Sequence, residues 1–316
     1  MIAFSDIEAA AKLLRPVAHR TPLLSSRTFN MQNGNEVYFK AENFQRVGAF
    51  KFRGAYNKLA SMTDGERARG VIAHSSGNHG QGVALSARLL GTKATIVMPH
   101  NSVKMKVDAA RGYGADIVFC GTSANDREQT TQELIDKHGY VLVHPFNDER
   151  LIAGQGSLVL EIAQEIRDLD LLYVPIGGGG LISGCALAAK SIFPNIRVIG
   201  VETEGANDCY QSFRQKKIVS IEHADTIADG MRTRSVGPIN FEMIMKYVDD
   251  VITIADSDIY PMMKFFLNYM KIVVEPTGAV APAAVMKNAS GMKGKRIAAV
   301  ISGGNVAPDL LAKLLA

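Results

Sequence analysis

The sequence predicts an α/β protein with two open parallel sheets. Three observations carry the prediction. Short β-rich runs alternate with helical stretches between residues 70 and 148, the same rhythm resumes after Asp148, and glycine-rich turns follow three of the runs. Such alternation means strands joined by crossover helices, and therefore parallel pairing. The chain opens on a helix, because Ser5 and Glu8 have the spacing of a capping box and Ile7, Ala10 and Leu13 recur at helical period before Pro16. The first alternating series reads as strand 71–74, helix 80–90, strand 94–98, helix 103–111, strand 117–120, helix 125–138 and strand 141–144. The second reads as helix 151–167, strand 171–175, helix 181–192 and strand 198–202. Strand 251–254, helices from Asp256 and Pro276, strand 297–301 and a last helix to Leu315 complete it. No repeat or low-complexity linker intervenes, so a small domain of residues 61–148 is expected as an insertion into a large one of residues 1–60 and 149–316.

Composition excludes several classes of function. With 316 residues, 47% hydrophobic and 21% charged, the chain has the make-up of an ordinary globular protein and can bury a cleft between two cores. A net charge of +4 is spread along the sequence, with no basic run longer than Lys216-Lys217. Neither a nucleic acid nor a membrane surface is indicated, and a small-molecule partner fits better. Cys120, Cys185 and Cys209 are odd in number and lack CxxC spacing, which argues against a disulfide framework or a zinc site and for a reducing compartment. No signal-peptide core and no membrane-length apolar run are visible, so the reading is cytoplasmic.

Ligands in open α/β sheets bind beyond the carboxyl ends of strands, where the glycine-rich turns lie. Gly177, Gly178, Gly179 and Gly180 stand between a strand and a helix, where free backbone N–H groups and a positive helix end can hold a phosphate. The bland alternative is a tight turn without a ligand. Against it, four consecutive glycines raise the entropy cost of folding with no evident packing return. Ser75, Ser76, Gly77, Asn78, His79 and Gly80 form a second turn, able to bind a carboxylate and present a hydroxyl, or simply to cap a helix. Ser302 opens a third, with Gly303, Gly304 and Asn305, and its hydroxyl can face a heterocycle. Lys51 lies between Phe50 and Phe52 just before a helix. Alone it would read as an amphipathic surface lysine. Desolvated beside those turns, it has a lowered pKa and becomes a nucleophile toward an aldehyde.

These motifs resemble fold type II, the β-family of pyridoxal-phosphate enzymes. Within it they are similar to the group of serine racemase, threo-3-hydroxyaspartate dehydratase and serine/threonine dehydratase. The resemblance runs from Thr21-Pro22 through Lys51, residues 75–80, 177–180, 226–230 and 275–277 to residues 302–305. It implies two parallel-sheet domains with the cofactor in the cleft between them. It implies that Lys51 carries pyridoxal phosphate as a Schiff base and that Phe50 flanks the ring. Asn78 would reach the phenolate oxygen, Gly177 to Gly180 the phosphate and Ser302 the pyridine nitrogen. Ser75, Ser76, Asn78, His79 and Arg127 would contact a small amino-acid substrate, with Lys51 and Ser76 as the catalytic pair on opposite faces. Glu202, the carbonyl of Ala206 and Asp208 would hold a divalent cation, Mg, Mn or Ca, since oxygen ligands disfavour zinc. By spacing alone the bland reading is favoured over a cation site, Glu202 ending a strand and Asp208 capping the following helix. A homodimer is usual for the family.

Two departures from the family pattern are Ala49, where serine is common before Phe-Lys, and Ala307, where aspartate is common. Neither touches the Schiff base. The activity implied is dehydration of serine, threonine or threo-3-hydroxyaspartate to a keto acid and ammonia, with serine racemisation. Two rivals stand beside it. Gly178, Gly180 and Ser183 approximate the G-x-G-x-x-G turn of a nicotinamide-dependent dehydrogenase, with Glu202 at the next strand end; the third glycine is missing, and Lys51 would have no role. The other is a catalytically silent amino-acid-binding protein of the same fold.

Overall fold

The computed structural model describes residues 2–75, 77–102, 104–287 and 291–315. Its strands among these residues are β1 (Leu23–Ser25), β2 (Glu36–Ala41), β3 (Val71–His74), β4 (Ala94–Pro99), β5 (Asp116–Cys120), β6 (Val141–Leu142), β7 (Leu171–Pro175), β8 (Arg197–Thr203), β9 (Asp250–Ile254) and β10 (Arg296–Ile301). A six-stranded sheet has the order β1-β2-β10-β7-β8-β9 and a four-stranded sheet the order β5-β4-β3-β6. Every pairing is parallel except β1 with β2. The smaller sheet takes its strands from residues 71–142, and the larger sheet takes its own from both sides of that segment.

Parallel strands covered by helices on both faces are buried, which is why β7 and residues 297–301 of β10 read as unbroken apolar runs. Leu172, Val174, Ala298 and Val300 point into one core, whereas Leu171, Tyr173, Ile297, Ala299 and Ile301 point into the other. This is the alternation of a pleated strand. Each buried Val, Leu or Ile contributes about 1.5–3 kcal/mol over an exposed one. The smaller sheet has its own core, in which Ala55 and Leu59 of helix Lys51–Ala60 join Val71, Ala73, Ile96 and Met98.

Local reasons for three differences from the expected elements are visible. The first helix, Phe4–Leu14, begins before Ser5, and the Asp6 carboxylate, not Glu8, accepts the backbone N–H of Ala3 at 2.8 Å. Its buried face is Ile7, Ala10 and Leu14, leaving Leu13 exposed. β6 ends at Leu142, because the chain turns at His144, whose Nδ1 accepts the N–H groups of Phe146 and Asn147. No helix among the described residues is long and apolar enough to cross a membrane.

Three helices pack in series. Helix Lys51–Ala60 touches helix Glu149–Glu165 backbone to backbone, since a Cβ on Gly154 would lie 2.6 Å from the Arg53 carbonyl. Helix Glu149–Glu165 meets helix Gly180–Ile192 the same way, through Gly156 and Gly184. The starts of the first and third helices, Lys51 and Gly180, are thereby held in fixed relation. Arg53 anchors the first, pairing both Glu42 (2.7 Å) and Glu161 (2.7 Å) in a buried network that also holds Lys40. Removing one partner would leave a charge buried and uncompensated, at about 3–5 kcal/mol.

Candidate active site

The segment before Lys51 is strained. Val47 has φ of 56° and Gly48 of 69°, a left-handed reversal that a β-branched residue adopts only when its surroundings demand it. Asn305 supplies the demand, since its Nδ2 donates to the Val47 carbonyl at 2.7 Å and its side chain sits against Gly48. The helix that follows starts at Lys51. The amine donates to the Pro145 carbonyl at 2.7 Å and lies 5.2 Å from the centre of the Phe50 ring. Burial lowers the Lys51 pKa to about 8, although the residue keeps some surface open.

A closed circuit of contacts surrounds this amine. Lys51 meets Pro145, and the next residue, Phe146, lays its ring where a Cβ on Gly178 would stand, 2.2 Å away. The adjacent Gly177 abuts the Gly230 carbonyl, and the Gly230 N–H donates to Thr277 Oγ1 at 3.0 Å. Two residues earlier, the Glu275 N–H donates to the Gly303 carbonyl, and the neighbouring Ser302 carbonyl accepts the N–H of Phe50 at 3.1 Å. The glycine turns at residues 177–180 and 302–305 are therefore joined to the lysine by one ring of contacts. A separate cavity of about 490 Å³ beneath the first helix, lined by Lys12, Arg15, Arg20 and Arg53, lies outside this circuit.

Within the circuit, the Gly178 and Gly179 carbonyls are engaged and the amides before them are free. The Gly178 carbonyl accepts from Asn240 Nδ2 (2.7 Å) and from the Gly237 N–H (3.1 Å). The N–H groups of Gly177, Gly178 and Gly179 donate to no acceptor among the described residues. Gly179, at φ of 94°, makes the reversal into the helix, whose first-turn amides lack intrahelical acceptors. Four glycines do have a packing return here, contrary to the sequence argument, because Phe146 and the Gly230 carbonyl press on Gly178 and Gly177. Ser183, the residue standing for a third dinucleotide glycine, is buried and its hydroxyl donates to the Asn240 carbonyl.

The Ser302 hydroxyl is buried without a hydrogen-bond partner among the described residues. Asn78, at the start of helix Asn78–Leu89, donates to Glu275 Oε1 (2.7 Å) and accepts from Asn305 Nδ2 (2.8 Å), which fixes its amide. Glu275 is buried, and burial followed by the charge of Asp229 pushes its pKa up to about 8. Lys106 opposes that rise and pairs with Asp229 at 2.5 Å, bridging a helix of the smaller sheet to the loop beside Gly230.

The remaining substrate candidates line the carboxyl end of the smaller sheet. Ser75 Oγ accepts the Gly77 N–H at 3.2 Å, shaping the turn; Ser76 lies outside the described residues. His79 is buried, its Nε2 donating to the Val143 carbonyl at 2.8 Å, so its Nδ1 is an acceptor without a partner among the described residues. Arg127 has a buried Nε likewise unpartnered, and its charge helps keep the His74 pKa below the usual value, after burial itself. Burial, then His74 and Lys51, lower the pKa of His144 to about 4. Sequence reasoning gave no role to His74, His144, Glu275 or Asn305. The usable signal was position: both histidines stand at strand ends, and Glu275 and Asn305 stand in the recognised turns.

The carboxylates of Glu202 and Asp208 are buried side by side. Glu202 accepts the N–H groups of Cys209 (3.2 Å) and Tyr210 (2.6 Å), whereas both Asp208 oxygens lack partners among the described residues. Burial raises both pKa values, that of Asp208 to about 7, and Asp208 adds to the rise at Glu202. An Ala206–Thr203 bridge brings Ala206 to the same turn. No group of three His, Cys, Asp or Glu side chains able to hold a metal is found among the described residues, so a cation would need backbone oxygen as well. The unpaired oxygens and all-oxygen chemistry fit a hard cation.

Comparison with known proteins agrees with this geometry. The chain is 45% identical over 303 residues to L-threo-3-hydroxyaspartate ammonia-lyase of Saccharomyces cerevisiae, covering 96% of this chain and 93% of that one. It is 44% identical to serine racemase of Schizosaccharomyces pombe, covering 96% and 94%. The solved structure of maize serine racemase superposes with a TM-score of 0.95 at 38% identity, covering 99% and 96%. The family described as pyridoxal-phosphate dependent enzyme matches residues 14–303. A lysine amine, a glycine turn with free amides and a buried hydroxyl without a partner among the described residues are what that cofactor needs, and the chain belongs to the family of pyridoxal-phosphate dependent enzymes.

Proposed function

We propose that this chain is an ammonia-lyase and racemase for small 3-hydroxy amino acids: serine, threonine and threo-3-hydroxyaspartate. The observation that carries the reading is the buried Lys51 amine sharing one circuit with the unpartnered Ser302 hydroxyl. The names of the yeast and fission-yeast relatives support the substrate class.

In this reading Lys51 attaches the cofactor, Phe50 flanks its ring and the amides of Gly177 to Gly180 hold its phosphate. Ser302 offers the ring nitrogen a hydroxyl, and Asn78 approaches the phenolate oxygen. When bound, pyridoxal phosphate supplies an electron sink for the bond at Cα. Lys51, whose lowered pKa leaves a usable fraction of free amine near neutrality, takes the Cα proton. The β-hydroxyl leaves as water with the proton that Lys51 took, and one water adds to the imine form of the released enamine to give keto acid and ammonia. Ser76 returns a proton from the opposite face, which racemises the substrate. Ser75, Asn78 and His79 orient the substrate carboxylate and line its face, and Arg127 makes a further substrate contact.

Glu202, Asp208 and the Ala206 carbonyl hold Mg, Mn or Ca away from the chemistry. The small domain of residues 61–148 is an insertion into the large one of residues 1–60 and 149–316, and the enzyme works as a cytoplasmic homodimer. The test is a keto-acid and chirality assay on the cofactor-loaded chain with both enantiomers of serine, L-threonine and L-threo-3-hydroxyaspartate. Ammonia release from at least one of them is expected; no release and no interconversion with any would refute the proposal.

A further inference from the structure

We propose that Asn240 is the positioning residue that turns the amides of the glycine turn toward a phosphate. The inference rests on the reading of Gly177 to Gly180 as the phosphate cradle. A peptide unit carries a donor at one end and an acceptor at the other, so an anion-binding turn works only if its carbonyls are tied back. At this turn the Gly178 carbonyl is tied by one side chain and by the Gly237 N–H, and the side chain makes the shorter bond. Asn240 Nδ2 donates to the Gly178 carbonyl at 2.7 Å and to the Phe146 carbonyl at 3.1 Å. The same amide thus holds the turn and the aromatic that lies on it.

Asn240 is itself held. It sits in the first turn of helix Pro238–Tyr247, whose Ile239 N–H donates to Asn147 Oδ1 at 3.1 Å. Its Cβ packs 2.7 Å from where a Cβ on Gly179 would stand, which leaves only glycine room to reverse at φ of 94°. Asn240 is wholly buried, and its Oδ1 has no partner among the described residues. Both donor hydrogens are used and the acceptor is not, so the residue is present for its NH₂ group. Without that group the Gly178 peptide can rotate and bring its carbonyl inward, where it repels an anion. The Gly237 N–H also donates to this carbonyl, at 3.1 Å, and is the longer of the two bonds.

The experiment strips the full chain of cofactor and titrates wild type, Asn240→Asp and Asn240→Ala with pyridoxal phosphate and with pyridoxal, following absorbance of the Lys51 adduct. Asp is the same shape without the donors; Ala keeps the small volume should Asp fail to fold. Expected is a fall of at least tenfold in the ratio of the two affinities, with pyridoxal affinity changed less than twofold. Inorganic phosphate should raise the thermal midpoint of wild type but not of the variants. An unchanged ratio, or an equal loss for both ligands, overturns the positioning role while the cradle stands. A wild-type ratio near one overturns the cradle and this inference with it.

Discussion

Replacing Glu275 by Gln should stabilise the protein, and by an amount that depends on pH. Glu275 sits under the active-site circuit, buried, with Asn78 donating to its Oε1 at 2.7 Å. Burial and Asp229 raise its pKa from 4.5 to about 8 in the folded chain. Below pH 4.5 the carboxyl is protonated in both folded and unfolded states, and it costs nothing. As pH rises the unfolded chain releases the proton first, so the folded state loses stability until pH passes about 8. At about 1.4 kcal/mol per unit, the deficit is about 3 kcal/mol at pH 7 and about 5 kcal/mol at pH 9. Gln keeps the acceptor that Asn78 uses and has no charge to bury.

Urea unfolding of cofactor-free wild type and Glu275→Gln at pH 5, 7 and 9 measures this directly. The variant should exceed wild type by less than about 1 kcal/mol at pH 5 and by roughly the two larger amounts above at pH 7 and 9. Lys106 lowers the Glu275 pKa, so Lys106→Met should carry the loss to still higher pH. A gap that stays flat with pH, or a wild type that is the more stable at pH 9, would refute the claim that Glu275 is held neutral.

Other outcomes follow from the site. Borohydride treatment of the loaded enzyme should fix the cofactor on Lys51 alone, as read by peptide mass, and attachment to stripped enzyme should speed up with pH about a midpoint near 8; label on another lysine refutes the assignment. Exhaustive chelation should lower activity and thermal stability, and Mg or Mn should restore both in wild type but not in Glu202→Gln or Asp208→Asn. Unchanged stability would leave the two carboxylates as helix caps. Ser76→Ala should reduce racemisation at least tenfold more than elimination from the L-enantiomer; equal losses would make Ser76 a binding residue only.

Much of the fold was legible because its strands are buried on both faces. Runs such as Leu171–Pro175 and Arg296–Ile301 carry their own signal whatever surrounds them. β2 was missed for the opposite reason. It contains Lys40, which reads as an exposed position but is fully buried, its charge met by Glu161 at 2.5 Å and by the Thr21 carbonyl at 2.7 Å. That pairing joins residues 121 apart, and no local pattern reports it. Helix Pro238–Tyr247 announces itself locally only through Gly237-Pro238, since proline is favoured at the first helical position.

The glycine turn shows where correct placement and incorrect reasoning can coincide. Its location after a buried strand and before a helix was enough to find the site, since open α/β sheets put ligands there. The supporting argument, that four glycines pack against nothing, fails: Phe146 and Asn240 occupy the space where side chains on Gly178 and Gly179 would be. Both come from segments far along the chain, so their pressure is invisible at residues 177–180. The same neighbours also fix which way the peptide units face. Glycine is required here by what packs behind the turn, and the free amides in front are the consequence. A glycine run alone therefore locates a turn, whereas the ability to hold a phosphate is decided by distant residues that engage its carbonyls.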